Sequence, residues 1–292
     1  FANYFLGSYL SQNCEFEEGL YYLEKCLELS LAANNLVSIV FAKGTISCAN
    51  YMLHGKIENA FISSKESLQQ ANESGDIFVR GMAYACHGMC CYSKGSFDEA
   101  LSNLLQGLDL CEKSAHNIWG GWASFYLGET YFVSGEYEKA VEYYKKNVEL
   151  FLEADRFGPP YIRLAKVSMI RSKVLNNGHD IRLEDLDESH KEIRLKGVEG
   201  WMARLIGEIL LNINDQHISE AEDWIKKAIE ADKRNGMMWQ LAKDYRLYAE
   251  LLKRKDDRSK AKRNLNKAIE IFKECGADGW VEKYEKELAA LS

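Results

Sequence analysis

Between Trp122 and Val148 apolar side chains return every three or four residues. Trp122, Phe125, Tyr126, Leu127, Tyr131 and Phe132 share one segment, and Tyr137, Ala140, Val141, Tyr144 and Val148 a second. Apolar positions at i, i+3, i+4 and i+7 predict two amphipathic helices. The turn between them is Ser134-Gly135-Glu136, where Gly135 supplies the positive φ that ends a helix. Gly128 and Ala140, one on each helix, are small enough to let the pair approach and interdigitate its larger neighbours.

The same pattern recurs along the chain. The motif Leu-Gly-x-x-Leu/Tyr has its small anchor at Gly7, Cys48, Gly88, Gly128, Gly207 and Ala249, so successive steps are 41, 40, 40, 79 and 42 residues. The double step requires a degenerate copy centred on Ser168. A second-helix small residue recurs at Gly19, Ala60, Ala100, Ala140, Ala221 and Ala261, with Leu23, Ser64, Leu104, Tyr144, Ile225 or Leu265 four residues later. Turn glycines recur at Gly55, Gly95 and Gly135. A fixed period in this range is the signature of a solenoid.

These residues resemble the tetratricopeptide repeat, with its Leu-Gly-x-x-Tyr and Ala-x-x-x-Phe elements. The unit here is about 40 residues rather than the usual 34, and the closing proline is absent. The resemblance implies an all-α, right-handed superhelix of about seven helical hairpins with a capping helix. Units fall at about 1–40, 41–80, 81–120, 121–158, 159–198, 199–241 and 242–277, with the cap at 278–292, all one repeat domain. The fifth unit departs most: Phe157-Gly158-Pro159-Pro160 interrupts the array. Its turn runs from Leu175 to Ile181, and its second helix, about Glu184 to Leu195, is highly charged. The cap presents Glu282, Lys283, Glu285, Lys286 and Glu287 on an expected outer face, as the end of an exposed core requires.

Composition narrows the partners. The 292 residues would suggest about two ordinary domains, but a repeat array grows by stacking. The formal net charge of −7 argues against general nucleic-acid binding, which needs phosphate-neutralising cations. Eight cysteines without paired framework spacing suit a reduced, cytoplasmic compartment. No apolar run reaches the ~18 residues of a membrane span, and no signal-peptide pattern opens the chain. Phe1 to Leu10 already reads as the inside of a repeat helix, which points to a piece of a longer protein.

Candidate chemistry is sparse. Cys86 and Cys90 stand at i, i+4 beside His87 and Cys91, but a structural zinc needs four ligands and no second pair is visible. Packing around Gly88 is the expected role, and neither metal nor cofactor is expected. His190 lies in a charged helix. Phosphate loops, nucleophile elbows and His-Glu-x-x-His motifs are absent, so no catalytic residue is assigned. The run Lys253 to Lys267 holds eight basic residues against Asp256 and Asp257; a solvated turn or an anionic partner site both fit it. The tryptophans at helix entries are expected to pack between successive units.

Counting each unit from seven residues before its anchor, positions 2, 5, 9 and 12 of the first helix face the concave side. The candidate partner site drawn from them is Met89, Tyr92, Trp122, Phe125, Glu129, Trp201, Arg204, Lys243 and Arg246, aromatic in the middle and charged toward the C-terminal end. Such a mixture suits a peptide or helix groove, and tight packing across a narrow superhelix is the competing reading. The Lys and Asn of chaperone-tail binders are replaced by Tyr4 and Ser8, then by Thr45 and Ala49, so that partner is disfavoured. The stretch from Glu199 to Trp280, with Ala221-Glu-Asp-Trp-Ile-Lys-Lys-Ala-Ile-Glu230 and Cys275-Gly-Ala-Asp-Gly-Trp280, is similar to the C-terminal repeats of bacterial signalling proteins. Those join a STAND- or AAA-type ATPase to a class III cyclase, a kinase or a DNA-binding module. The resemblance implies a non-catalytic interaction and sensor scaffold. Its partner would be a protein or peptide segment, or the ATPase domain of its own full-length protein. The alternative is a receptor for a small ligand or a signalling peptide.

Overall fold

The computed structural model describes residues 2–154, 159–177 and 195–290. Among these are fourteen helices and no strand, the solenoid expected from the repeat. They are α1 (Ala2–Gln12), α2 (Phe16–Ala32), α3 (Leu36–Thr45, continued by Ile46–Tyr51 and Met52–His54), α4 (Ile57–Ser74), α5 (Ile77–Lys94), α6 (Phe97–Lys113) and α7 (Asn117–Val133). Then follow α8 (Tyr137–Glu153), α9 (Pro159–Leu175), α10 (Lys196–Ile213), α11 (Ile218–Arg234), α12 (Met238–Arg254), α13 (Arg258–Cys275) and α14 (Asp278–Ala290). Pro159 opens α9, where its missing N–H costs nothing. Phe157, Gly158, the turn beyond Asn177 and the expected helix with His190 lie outside the described residues.

Helix starts follow local chemistry. Asn35 accepts from the Ser38 N–H at 3.0 Å, Asp76 from Val79 at 2.9 Å and Asp257 from Lys260 at 3.1 Å, each satisfying a donor that the first turn leaves unpaired. Ile46–Tyr51 is a π turn, which adds a residue to the helix. It falls on Cys48, the anchor reached by the 41-residue step.

Small anchors work by receiving a specific knob. A Cβ on Gly128 would stand 2.6 Å from the Tyr144 ring, and one on Gly88 2.7 Å from Leu104. Gly7 receives Leu23 and Gly207 receives Ile225 in the same way. The true partner is therefore the residue four beyond the second-helix alanine. Leu23, Leu104, Tyr144 and Ile225 are fully buried, each stabilising the hairpin by roughly 1.5–3 kcal/mol through burial.

The array then turns back upon itself. Lys196 at the start of α10 lies 3.8 Å from Glu15, and an added Cβ on Gly197 would meet the Gln12 carbonyl. Trp239 Nε1 donates to the Ser93 carbonyl and Trp280 Nε1 to that of Tyr92, both at 2.9 Å. Lys94 donates to Asp278 at 2.9 Å. The sixth hairpin thus rests on the first; the seventh rests on the second, where a Cβ on Gly55 would stand 2.9 Å from Met238, and on the third through Trp239; α14 rests on the third. Trp239 and Trp280 consequently pack between superhelical turns, not only between neighbouring units. Gly95 has φ +90°, and a Cβ there would stand 2.6 Å from the Gly279 carbonyl carbon; only glycine meets both the turn and this approach.

One helix, Leu36–His54, is long and apolar enough to cross a membrane by length and composition. Packed against α1, α2, α4 and α5, 56% of it is buried, as in the core helix of a hairpin. Lys283 and Glu287, expected on the outer face of the cap, turn toward the axis, to the Val133 carbonyl and Arg246.

Candidate functional site

First helices line the superhelical axis, as the groove positions require, but the axis is not one continuous groove. It holds two cavities with a wall between them.

The larger cavity, about 890 Å³, lies toward the N-terminal ends of α7, α9 and α10, closed by α1, α3 and the end of α2. Tyr4, Phe41, Met52, Met89, Trp119, Trp122, Tyr126, Tyr161 and Trp201 make it mainly apolar. Thr45 donates to the Tyr4 hydroxyl at 3.1 Å, and Tyr161 donates to Gln12 at 2.7 Å. His116 stacks on Phe78 with ring centres 3.9 Å apart, and burial pushes its imidazole down to about 4. Trp201 Nε1 is buried without an acceptor among the described residues. At the mouth, Phe5, Tyr9 and Leu29 are each more than 60% exposed.

The wall is built from Tyr92 and Phe125 with the ionised groups behind them. Phe125 meets Trp201 edge-on at 5.4 Å. Glu129, one turn further along α7, accepts from Arg171 at 2.5 Å and Tyr144 at 2.6 Å on one oxygen, and from Tyr92 at 3.2 Å on the other. Arg171 also lies over the Phe132 ring at 3.6 Å. Burial alone would raise the Glu129 carboxyl, but Arg171, Lys243 and the Tyr144 hydroxyl outweigh it and hold it at about 2. Lys243 moves the other way although its amine is 3.6 Å from Glu129. Burial pulls it down to about 7, and the charges of Arg204 and Arg171 add to that pull. The two groups differ in which influence wins: at Glu129 the neighbouring cations outweigh burial, whereas at Lys243 burial outweighs the attraction of Glu129. Arg204 donates to Asp244 at 2.9 Å and to the Gln240 side chain at 2.7 Å. Beside it Asp232 is held well above the usual carboxylate range by burial and by Asp244.

Beyond the wall, near the C-terminal ends of the same helices, is a polar cavity of about 310 Å³. The sequence-derived residues therefore divide. Met89, Trp122 and Trp201 line the apolar cavity, and Glu129, Arg204, Lys243 and Arg246 the polar one. Tyr92 and Phe125, each 1% exposed, stand between. Sequence reasoning missed Arg171, which sits in the degenerate fifth unit at a position outside the groove count. Arg163, Lys166 and Lys173 stand on the same helix, so sequence carried no signal that singled Arg171 out. It also missed Tyr161 and Lys283, in the units with the weakest repeat signal.

Cys86 and Cys90 are buried, with Cys48 Sγ 4.0 Å from Cys90 Sγ. Burial pushes the Cys86 and Cys90 thiols up. His87, Cys91 and Glu99 bring three ligand-type atoms within 4.8 Å, and His87 Nδ1 is 3.0 Å from the Ser64 hydroxyl. In the basic run, Lys255 pairs with Glu222 and Lys260 with Asp257 on exposed surface.

A tetratricopeptide-repeat family model matches residues 80–153. No curated protein matches the chain. Among solved structures, the apo form of RapI is similar over 93% of this chain and 96% of its own, with TM-score 0.65 and 12% identity. Aspartyl phosphate phosphatase F from Bacillus subtilis matches over 92% and 69%, with TM-score 0.61 and 13% identity. The Rap conjugation gene regulator of plasmid pLS20, in complex with the Phr* peptide, matches over 87% and 76%, with TM-score 0.57 and 12% identity. At these identities the likeness is one of fold: a helical-repeat solenoid that spans almost the whole chain.

Proposed function

We propose that this chain is the sensing module of a larger bacterial regulatory protein of the cytoplasm, and that its apolar cavity receives a short, mainly apolar peptide. The observation that carries this reading is the half-open apolar cavity of about 890 Å³, within the ~300–1,000 Å³ of ordinary ligand pockets. A long partner helix would need an open groove along the whole axis, which the wall interrupts. Apolar surface continues outward over Phe5, Tyr9 and Leu29, which suits a chain longer than the cavity itself. Trp201 contributes its ring to the cavity wall beside Trp119, Trp122 and Tyr126, an aromatic lining that suits apolar peptide side chains. The fold's likeness to a Rap regulator in complex with the Phr* peptide supports the same class of ligand. No group is proposed to catalyse a reaction.

A larger partner, such as an ATPase domain of the same protein, has a separate support. Tyr21 and Leu31 on α2 are each more than half exposed and outside the cavity. Both uses are compatible: ligand inside, effector domain outside.

Titration with a panel of apolar peptides of five to ten residues, read by tryptophan fluorescence and thermal shift, tests the proposal. A fitting peptide stabilises the fold by about 2.7 kcal/mol at a hundredfold excess over its Kd. Trp201→Phe, which removes ring area from the cavity wall, weakens binding about tenfold. Stabilisation by sugars or nucleotides with none by peptides would overturn it, as would peptide binding indifferent to Trp201.

A further inference from the structure

Among the described residues, the polar cavity is crowded with cations, and not all of them are closely paired. Its described lining carries six cationic side chains, Arg171, Arg204, Lys243, Arg246, Arg254 and Lys283, against three carboxylates, Glu129, Glu208 and Glu250, with Asp244 and Glu287 paired to Arg204 and Arg246 behind them. This is a positive pocket in a chain whose formal net charge is −7. Three of the cations are committed: Arg171 to Glu129, Arg204 to Asp244 and Gln240, and Arg254 to the Leu211 carbonyl and Asn212. The other three are held loosely. Lys243 Nζ is 3.6 Å from Glu129 and 3.4 Å from the Tyr92 hydroxyl. Arg246 lies 3.6 Å from Glu287, and its buried Nε meets no acceptor among the described residues. Lys283 Nζ reaches the Val133 carbonyl at 3.4 Å and lies 5.7 and 5.8 Å from the Phe97 and Trp280 ring centres.

Neutralising helix ends does not account for all of them. Carbonyls at the C-terminal ends of α7 and α10 attract cations, which explains Arg254 and Lys283. It does not explain Arg246 and Lys243, which stand mid-helix on α12 beside aromatic rings. Buried cations without full partners are costly, and a partly enclosed site makes an opposite charge count for more than it would in open water.

We infer that this cavity is a second binding site, for a small oxyanion presenting two or more carboxylate or phosphate oxygens to Lys243, Arg246 and Lys283. A cavity of about 310 Å³ stands at the small end of the ~300–1,000 Å³ of ligand pockets, which favours a compact anion over a nucleotide. The arginine forks suit planar or tetrahedral oxygen sets, and the lysines add point charge. A bound anion also relieves the cost of keeping the Lys243 ammonium buried. The site is independent of the apolar cavity, so it stands or falls without a peptide.

Calorimetry and thermal shift with inorganic phosphate, pyrophosphate and citrate, each against sodium chloride of matched ionic strength, test it on the whole chain. At least one of the three binds saturably, and the order between the phosphates and citrate identifies the oxyanion. Lys283→Gln, at a half-buried position, and Arg246→Gln each weaken that binding about tenfold or more, the loss expected for one charge-assisted hydrogen bond. Both variants keep the wild-type circular dichroism. Failure of all three anions to bind saturably, or equal affinity in wild type and Lys283→Gln, would overturn the inference.

Discussion

The same helices line two cavities of opposite character. On α10, Trp201 faces the apolar cavity and Arg204, less than one turn later, the polar one. On α7, Trp122 and Tyr126 face the first and Glu129 the second. The two ends differ mainly in which side chain each turn presents, with the helix C-terminal carbonyls at the polar end adding a pull on cations. In a repeat array every unit offers the same few axial positions, so ligand chemistry is set by sequence at those positions while the scaffold stays constant. The apolar end stays stable when empty because dispersion and ring packing need no partner. The polar end needs every charge answered, by the chain or by a ligand.

The largest consequence falls on the wall. Replacing Arg171 with Met leaves Glu129 ionised and buried behind Tyr92 and Phe125, and removing one partner of a buried pair costs about 3–5 kcal/mol. Urea unfolding of Arg171→Met measures it, and Arg171→Met with Glu129→Gln should recover a substantial part. A loss below about 1 kcal/mol would mean that the polar end is solvated and the contrast between the ends false.

A smaller effect is expected on the apolar side. Met89 is 3% exposed and lines the larger cavity. Met→Ala in a packed core costs about 2–5 kcal/mol; here the value should fall near 2, because open volume already stands beside the side chain. A cost above that of Arg171→Met would reverse the order of the two ends.

The subtlest test is pH. The folded state holds Lys243 at about 7, whereas an unfolded lysine titrates near 10.4. Between those values the unfolded chain binds a proton that the native chain has released, so this residue makes stability rise with pH. Wild type should therefore gain stability relative to Lys243→Met as pH is raised from about 7 to about 9. Taking the difference removes the opposing contribution of the buried thiols. A flat difference would show Lys243 to be fully charged throughout, with Glu129 as its direct partner.

Much of the fold was legible because its signals are local. Anchors such as Gly88 and Gly128, the turn glycine Gly135 and the apolar stripes of α7 and α8 each act within one hairpin, so 40-residue spacing exposes them. The inward direction of positions 2, 5, 9 and 12 was legible for the same reason. What was not legible is where the axis closes, since that depends on small rotations accumulated over five hairpins, which no single motif encodes. The division of the site residues into two cavities follows from that closure. Arg171 escaped because, counted from the Ser168 anchor, it falls at position 11, outside the groove positions, and it enters the axis only through its reach to Glu129.

The rungs between superhelical turns change how such a molecule comes apart. An ordinary solenoid behaves as a one-dimensional chain of neighbours, and its end repeats fray independently of its middle. Here Trp239 and Trp280 reach back to the carbonyls of Ser93 and Tyr92, so the last two units share their fate with the third. Fraying at the C-terminus uncovers the interior of the array at once, and opening becomes a concerted event rather than a graded one. The same rungs give a ligand in the axis a lever: by changing the pitch at one turn it shifts the register of helices five hairpins away.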